Sequence, residues 1–450
     1  MAIAIIIILL VIGSVIFHFM SPWYFTELAS NWGAIDATVT ITFVVCGIVF
    51  VATNLFMAYC IIRFRNKSKD QRAKYEPENK KLEGWLIVVT TIGVVAMLAP
   101  GLIVWGKFVS PPENAAIVEA IGQQWQWSFR FPGEDGELGK VDAKKINIDN
   151  PFGMNDEDPY GQDDILIAGN EVHIPLGQPV KFLLRSKDVL HNFTVPQFRV
   201  KMDLVPGMVP WLWLTPTRTG TFEILCEELC GIGHHTMRGK VVVEEEEDFQ
   251  AWLAQQPTYA QLSAQQPGDA VTGKALYAVC SACHGLEGEG NQALNAPKIS
   301  GQEDWYIKRQ LSYFKHGIRG ANPQDTFGQQ MAPMAATLAD ETAINNIAAY
   351  IQSLPDKPAT QTVSGDARNG KKLYVTCSKC HGKQAKGKWA VNAPRIAGMS
   401  DWYMATQLKN FKQGIRGAHP QDVTGRQMES MVLSLNDEKI DDLIAYINTL

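Results

Sequence analysis

The sequence predicts a multidomain membrane protein: α transmembrane helices, then a β-sandwich, then two all-α domains. Three observations carry that prediction. Long apolar stretches fill the first part of the chain to about residue 110, short β-type runs fill 113–250, and one domain-sized pattern occurs twice after residue 269. At 450 residues the chain has room for about three domains. The formal net charge is only −5, so no polyelectrolyte partner is implied and no nucleic acid is expected.

The first apolar stretch, MAIAIIIILLVIGSVIF, is long enough for a short span. Residues 1–20 read as an extra transmembrane helix or as a signal peptide. The stretch lacks a basic n-region and a clear A-x-A site, which favours the helix. A transmembrane hairpin is expected over 36–110. Its first arm, Asp36 to Phe64, exceeds a ~30 Å hydrocarbon core and spans with tilt. Its second arm runs from Glu83 to Lys107 with Pro100 inside, where neighbouring helices satisfy the backbone. The loop between carries eight basic residues (Arg63, Arg65, Lys67, Lys69, Arg72, Lys74, Lys80, Lys81) against three acids (Asp70, Glu76, Glu78). The positive-inside rule places that loop in the cytoplasm and everything after residue 108 outside. Cys46 and Cys60, within the first arm, read as small apolar fillers.

Residues 113–250 read as β. IVEAIGQQWQWSFRF, EVHIPLG, VKFLLRS, HNFTVP, TFEILC and KVVVEEEE are rich in β-branched and aromatic residues, with Pro, Gly or charge clusters between them. That is the pattern of a Greek-key sandwich. Alternation puts Trp125 and Trp127 on one face. Residues 132–164 look like an insertion, with ten acids against three lysines. Asp156, Asp158, Asp163 and Asp164 could bind a hard cation such as calcium, but no regular loop spacing supports it and a solvated acidic loop is the preferred reading.

Residues 226–237, CEELCGIGHHTM, set Cys226 and Cys230 four apart, with His234 four later and Met237 three after that. Thiolate, imidazole and thioether suit copper. Two cysteines at this spacing let two sulfurs bridge two copper ions, and His191 in DVLHNFTVP is the candidate second imidazole. A lone CxxxC would also suit a disulfide, a redox pair or zinc.

A Gln/Pro-rich joint over 251–268 reads as a linker. A repeat follows, with expected domains over 269–357 and 364–450. Cys280 and Cys377 are 97 apart, and so are Pro297 and Pro394, Trp305 and Trp402, and Met334 and Met431. Each copy carries CxxCH: Cys280, Cys283, His284 and Cys377, Cys380, His381. Two thiols can form thioethers to haem vinyls while the adjacent His takes the proximal iron position. A zinc or thioredoxin-type CxxC would not place a His beside both copies.

The copper motif resembles that of subunit II of the haem–copper cytochrome c oxidases, over roughly residues 36–250. Cys226, Glu228, Cys230, His234 and Met237 match C-x-E-x-C-x3-H-x2-M, and His191 matches the upstream His. The resemblance implies a cupredoxin sandwich holding dinuclear copper A. It implies that Glu228 gives its backbone carbonyl to copper and its carboxylate to a magnesium ion at the contact with subunit I. It implies that Trp125 is the surface residue where electrons enter, and that Glu83, in Glu83-Gly84-Trp85, marks the mouth of a proton channel into subunit I. His235 lies outside the motif and reads as a loop residue. Three spans rather than the usual two is a departure. The repeats resemble class I cytochromes c of the tandem di-haem type, two all-α domains that would hold two covalent haems c. There a Met precedes the last helix: Met334 and Met431 match best, with Met331 and Met428 three residues earlier as alternatives. His316 and His419 have no counterpart in the other copy and read as surface residues.

Charge divides the extramembrane units. Residues 113–250 hold 12 basic and 23 acidic residues (net −11), 269–356 hold 6 and 9 (−3), and 365–450 hold 13 and 8 (+5). Opposite charge favours the second repeat on the copper domain, whereas the linker tethers the first, so the order of the haems stays open. The reading is the electron-input subunit of a proton-pumping terminal oxidase in a bacterial cytoplasmic membrane. Its expected partners are subunit I, subunit III and a respiratory donor, either cytochrome c or a quinol-oxidising complex. The alternatives are the copper A subunit of a nitric oxide reductase and a membrane-tethered electron carrier without a catalytic partner.

Overall fold

A computed structural model describes residues 1–21, 25–66, 75, 77–264 and 267–450. Helices α1 (Ala2–Met20), α2 (Gly33–Arg63) and α3 (Lys80–Phe108) are each long and apolar enough to cross a membrane. At about 1.5 Å per residue, 19 residues in α1 just match a ~30 Å core, whereas 31 and 29 residues exceed it. α1 packs along α2, and α3 continues through Pro100. Asn79 caps α3 by accepting from Leu82 N at 3.1 Å, and Glu83 Oε1 accepts from Asn79 N at 3.4 Å. Lys67, Lys69, Asp70, Arg72, Lys74 and Glu76 of the basic loop lie outside the described residues.

Ten strands follow: β1 Ala116–Gln123, β2 Gln126–Phe131, β3 Ile165–Ile167, β4 Glu171–Pro175, β5 Val180–Ser186, β6 His191–Val195, β7 Val200–Leu204, β8 Trp211–Leu214, β9 Gly220–Leu225 and β10 Arg238–Glu244. They form two five-stranded sheets, ordered β3-β2-β1-β5-β8 and β4-β10-β9-β6-β7. Trp127, Phe129, Phe182, Phe193 and Phe198 fill the space between them, fully buried. Three strands (β3, β7, β8) escape the sequence reading because Pro, Gly or charged neighbours mask their short apolar runs. The run from 117 to 131 is two strands, not one. Its hairpin turn falls on Gln124 and Trp125, so strand alternation never governs Trp125. The KVVVEEEE run ends as a strand at Glu244. Glu246, Glu247 and Asp248 instead open α4 (Glu246–Leu253), where carboxylates oppose the positive end of the helix dipole.

The β-sandwich is clamped to the membrane helices. Trp32 Nε1 donates to Trp213 O (2.9 Å), Trp213 Nε1 donates to Lys107 O (3.2 Å), and Arg199 grips Asp36 through two bonds of 2.6 and 2.9 Å.

The acidic segment 132–164 keeps seven of its ten acids exposed, as a solvated loop would, but it is also pinned by a small core of its own. Phe152 and Met154 form a small core with Ile121, Leu166 and Tyr259. Asp164 is fully buried, accepting from Arg130 Nη1 (2.8 Å) and Gly139 N (3.0 Å); Asp158 accepts from Lys140 N (2.7 Å). Asp135, Asp142, Asp158 and Asp163 accept from backbone N–H groups of turns and Asp164 takes the buried Arg130, since a chain without regular strands needs acceptors for its N–H groups. The joint after α4 is not a bare tether either. Leu166 N donates to Pro257 O (3.0 Å), and Tyr259, opening α5 (Tyr259–Ser263), is buried with its N bonded to Asp164 O (2.8 Å).

Two four-helix lobes complete the chain. The first comprises α6 (Ala270–His284), α7 (Asp304–Lys315), α8 (Thr326–Ala336) and α9 (Glu341–Ser353). The second comprises α10 (Ala367–His381), α11 (Asp401–Lys412), α12 (Val423–Val432) and α13 (Asp437–Ile447). In each, the first and last helices cross so closely that Gly273 and Gly370 abut the facing backbone. A Cβ at either would sit 1.9 Å from the carbonyl of Asn346 or Asp442.

Candidate copper and haem centres

β6 carries His191 and the loop between β9 and β10 carries the rest of the cluster. Cys226 Sγ lies 3.7 Å from Cys230 Sγ and 4.0 Å from His191 Nδ1. Cys230 Sγ lies 3.5 Å from His234 Nδ1 and 3.9 Å from Met237 Sδ. The Glu228 carbonyl faces Cys226 Sγ at 3.3 Å. Among the described residues, His191, Cys226 and Cys230 form the group of buried donors able to hold a metal ion. The loop folds this way because Gly233 lets Trp125 lie flat against it; a Cβ there would come within 2.5 Å of the ring.

The electrostatics fit a cation. Hydrogen bonding from Cys230 brings the Cys226 thiol down to about 3, while that same hydrogen bond, burial and the charge on Cys226 push Cys230 well up. Two sulfurs this close cannot both ionise without positive charge between them. Burial opposes charging of His191, yet the bond to Asp188 carries its pKa above the usual value. Asp188 Oδ1 meets His191 Nε2 at 2.8 Å, so the ring nitrogen facing Cys226 is left for a metal. Asp188 is a positioning residue the sequence reading passed over, although the quoted DVLH places it three positions before His191.

Trp125 is not at the surface, being 5% exposed. Its Nε1 donates to Cys230 O (3.3 Å), and its own carbonyl accepts from Gln427 Nε2 on α12 (2.6 Å). The second lobe covers it, with α12 lying against the turn at His234–Thr236. Two further bonds close this contact: Gln123 Nε2 to Ala390 O (3.2 Å) and Asn392 Nδ2 to Gln126 Oε1 (2.8 Å). His235 is exposed. Glu83 stands at the far end of α3, away from this cluster, where it has the helix-start contact described above.

One cavity runs from Trp125 through both lobes. It is lined by Cys280, Cys283, His284, Met331 and Met334, and by Cys377, Cys380, His381, Met428 and Met431. His284 Nδ1 meets Pro297 O at 2.8 Å and His381 Nδ1 meets Pro394 O at 2.7 Å. Donation there leaves Nε2 as the free lone pair, and burial lowers the pKa of both rings, which favours the neutral form. Met331 packs on the lobe core whereas Met334 is exposed, and both line the cavity. His316 bonds to its own helix and His419 to Gln421 N, away from the cavity.

Between the lobes, Arg319 and Arg416 form a mirror pair. Arg319 bonds Gln310, Tyr403 and Gln407; Arg416 bonds Gln407, Tyr306 and Gln310. With Arg309 they line the cavity, and the Nε of all three is buried without a partner. Among the described residues no carboxylate forms an ion pair with these guanidinium groups, although Asp422 lies near enough to favour the charge on Arg309 and Arg416. Such a donor set fits a group that brings its own carboxylates, as haem does.

The periplasmic-domain family of cytochrome c oxidase subunit II matches residues 116–245, and the cytochrome c family matches 270–355 and 367–450. An alternative cytochrome c oxidase subunit 2 from Bradyrhizobium diazoefficiens is 59% identical over 263 residues, 58% of this chain and 95% of the relative. The chain belongs to the cytochrome c oxidase subunit II family. A cytochrome c oxidase subunit 2 from Cereibacter sphaeroides is 33% identical, covering 47% of this chain and 72% of that one. Among solved structures, reduced cytochrome c4 from Pseudomonas stutzeri is 28% identical, covering 41% of this chain and 99% of that one, with a TM-score of 0.34. This subunit II member is thus a component of an oxidase, providing electron input with c-type domains fused to it. Its families imply copper A and haem c. Its apolar helices form a membrane anchor, with the copper domain on the outer side.

Proposed function

We propose that the chain passes electrons from a respiratory donor to subunit I of a proton-pumping oxidase, where oxygen is reduced to water. The observation that carries this reading is the buried donor cluster at Cys226 and Cys230, joined through Trp125 to the cavity of the c-type lobes. His191, Cys226, Cys230, His234, Met237 and the Glu228 carbonyl would hold two copper ions, and the Glu228 carboxylate a magnesium ion at subunit I. Cys280, Cys283, His284 and Met334 would hold one haem c; Cys377, Cys380, His381 and Met431 would hold the other. Bound there, these groups supply reversible one-electron chemistry. The chain's own part is positional. Asp188 and the two proline carbonyls orient the imidazoles, and the sandwich buries His191, Cys226, Cys230 and Met237 away from water. The fusion keeps the c-type units at high effective concentration beside the copper domain. The membrane would be the bacterial inner membrane, with subunit III a further partner.

The test is metal content and spectroscopy of the full chain. Two copper ions, two haems c and a mixed-valent copper signal split by two equivalent nuclei are expected. A single type 1 copper spectrum would overturn the reading. Cys230→Ser should leave at most one copper and abolish the shared signal.

Glu83 would collect protons at the cytoplasmic end of α3. Glu83→Gln should leave reduction of haem and copper unchanged and slow steady-state oxygen consumption. Turnover and pumping equal to wild type would leave Glu83 with its helix-start contact alone.

A further inference from the structure

We propose that the two lobes work in one fixed order: a separate redox protein docks on the first lobe around Leu294, Asn295 and Gln330, and the second lobe delivers to the copper domain. The proposal rests on the electron-input reading above and adds to it the docking face and the direction of flow.

The argument comes from the internal repeat. The second lobe meets the copper hairpin through Ala390, Asn392 and Gln427. At the offset of 97, the first lobe has Ala293, Asn295 and Gln330, the same three residue types. The local backbone is also the same: Asn295 and Asn392 both end a short 3-10 turn at φ 54°. The first lobe therefore carries a second copy of a face already seated on a redox domain. In this copy the face is open. Gln330 is exposed and Leu294 is 49% exposed, whereas their counterparts Gln427 and Val391 are half-buried; Ala293 and Ala390 are exposed in both copies. Among the described residues the side chains of Asn295 and Gln330 make no hydrogen bond, and no hydrogen bond joins residues 269–356 to the copper domain.

The seated copy also states what the open one fits. The copper hairpin offers side-chain amides (Gln123, Gln126), a backbone carbonyl (Trp125) and an aromatic ring, with no charge in the bonds it makes. The first lobe's partner should likewise ring its cofactor edge with amides and apolar side chains. Leu294 and the exposed Phe327 make the open face more apolar than its counterpart, which has Val391 and Thr424 there. The continuous cavity and the inter-lobe arginines complete a path with one open end and one closed end. Each transfer moves one electron and no proton. The partner's centre would give up one electron to the group that Cys280, Cys283 and His284 would hold, and that electron would leave through the group that Cys377, Cys380 and His381 would hold toward the copper ligands.

The full-length, loaded chain is mixed in a stopped-flow instrument with a reduced mono-haem cytochrome c, a small probe that must land where a cofactor edge is reachable. Leu294→Glu and Leu294→Lys should each slow the bimolecular phase about tenfold, within the range seen among variants of one interface. Both should keep wild-type haem content, copper signal and haem-to-copper phase. Gln427→Ala should do the reverse, leaving the bimolecular phase alone and slowing the haem-to-copper phase. Wild-type bimolecular rates in both Leu294 variants would overturn the proposal. So would opposite effects of Glu and Lys, which mark a charge-steered site elsewhere, or a bimolecular phase that follows Gln427. Failure of the wild-type copper site to be reduced after the haems would instead overturn the electron-input reading itself.

Discussion

The first and second lobes share one fold and much of one sequence, yet only the second bonds to the copper domain among the described residues. Charge is the obvious distinction, at −3 against +5 beside a domain of −11. The bonds at the contact tell a different story. They run between neutral amides and carbonyls, and the first lobe has the same residue types. Long-range attraction can select which copy docks, but the docked geometry is held by groups that both copies carry. A duplicated domain can thus acquire two roles through position and a few substitutions, such as Arg309 in place of Thr406. Arg309 reaches across to Asn392 Oδ1 (3.3 Å) and O (3.2 Å), beside the copper hairpin, and has no mirror partner.

The largest expected effect comes from Met334 and Met431, the proposed axial residues. Met334→His and Met431→His should each lower one haem potential by on the order of a few tenths of a volt and leave the other nearly unmoved, since axial ligands command a span of ~0.8 V. Spectroelectrochemical titration separates the two. Only Met431→His should also leave the group nearest Trp125 a poorer match for copper. If Met331→His or Met428→His produces these shifts instead, the ligand lies one helical turn earlier on α8 or α12.

A smaller effect tests the mirror itself. Arg319→Met and Arg416→Met each remove a buried cation hydrogen-bonded to three partners, at a cost on the order of 2–4 kcal/mol. Urea unfolding followed at the haem bands should give costs within about 1 kcal/mol of each other, as symmetry requires. A much larger loss at one of them would show that the lobes lean on this network unequally.

The smallest effect is acid-sensitive. Asp356 sits at the end of the first lobe and bonds both Lys298 of its own lobe (2.9 Å) and Arg395 of the second (2.6 Å). Burial opposes its ionisation, but these two cations hold its pKa below the usual 3.8. A depressed carboxylate contributes its stabilisation above the unfolded-state pKa and loses it as pH falls through the folded one. The lobe–lobe contact should therefore weaken slightly below about pH 4. Asp356→Asn should remove that dependence, measured as haem-band unfolding against pH.

Some features of the chain were legible because their chemistry is local. CxxCH is five consecutive residues, and C-x-E-x-C-x3-H-x2-M fits in one loop, so ligand spacing reads directly from the letters. The spans were legible because a ~30 Å apolar slab demands an unbroken run. The repeat was legible because 97 residues recur in register. Where burial depends on a distant segment, the letters mislead. Trp125 resembles a surface aromatic until Gln427, 302 residues later, closes over it. Asp164 reads as one more exposed acid until Arg130 and Gly139 enclose it. Glu246 reads as strand until the helix dipole claims it.

The sequence by itself determined which donors the chain owns, that it crosses a membrane, and that its c-type unit is doubled. Bond-forming chemistry and hydrophobic length act within a few residues or along one helix, and so are written in order. Which lobe meets the copper hairpin was decided only by tertiary structure. Both copies carry the amides that make that contact, and choosing between them depends on shape, net charge and chain path summed over the folded surface.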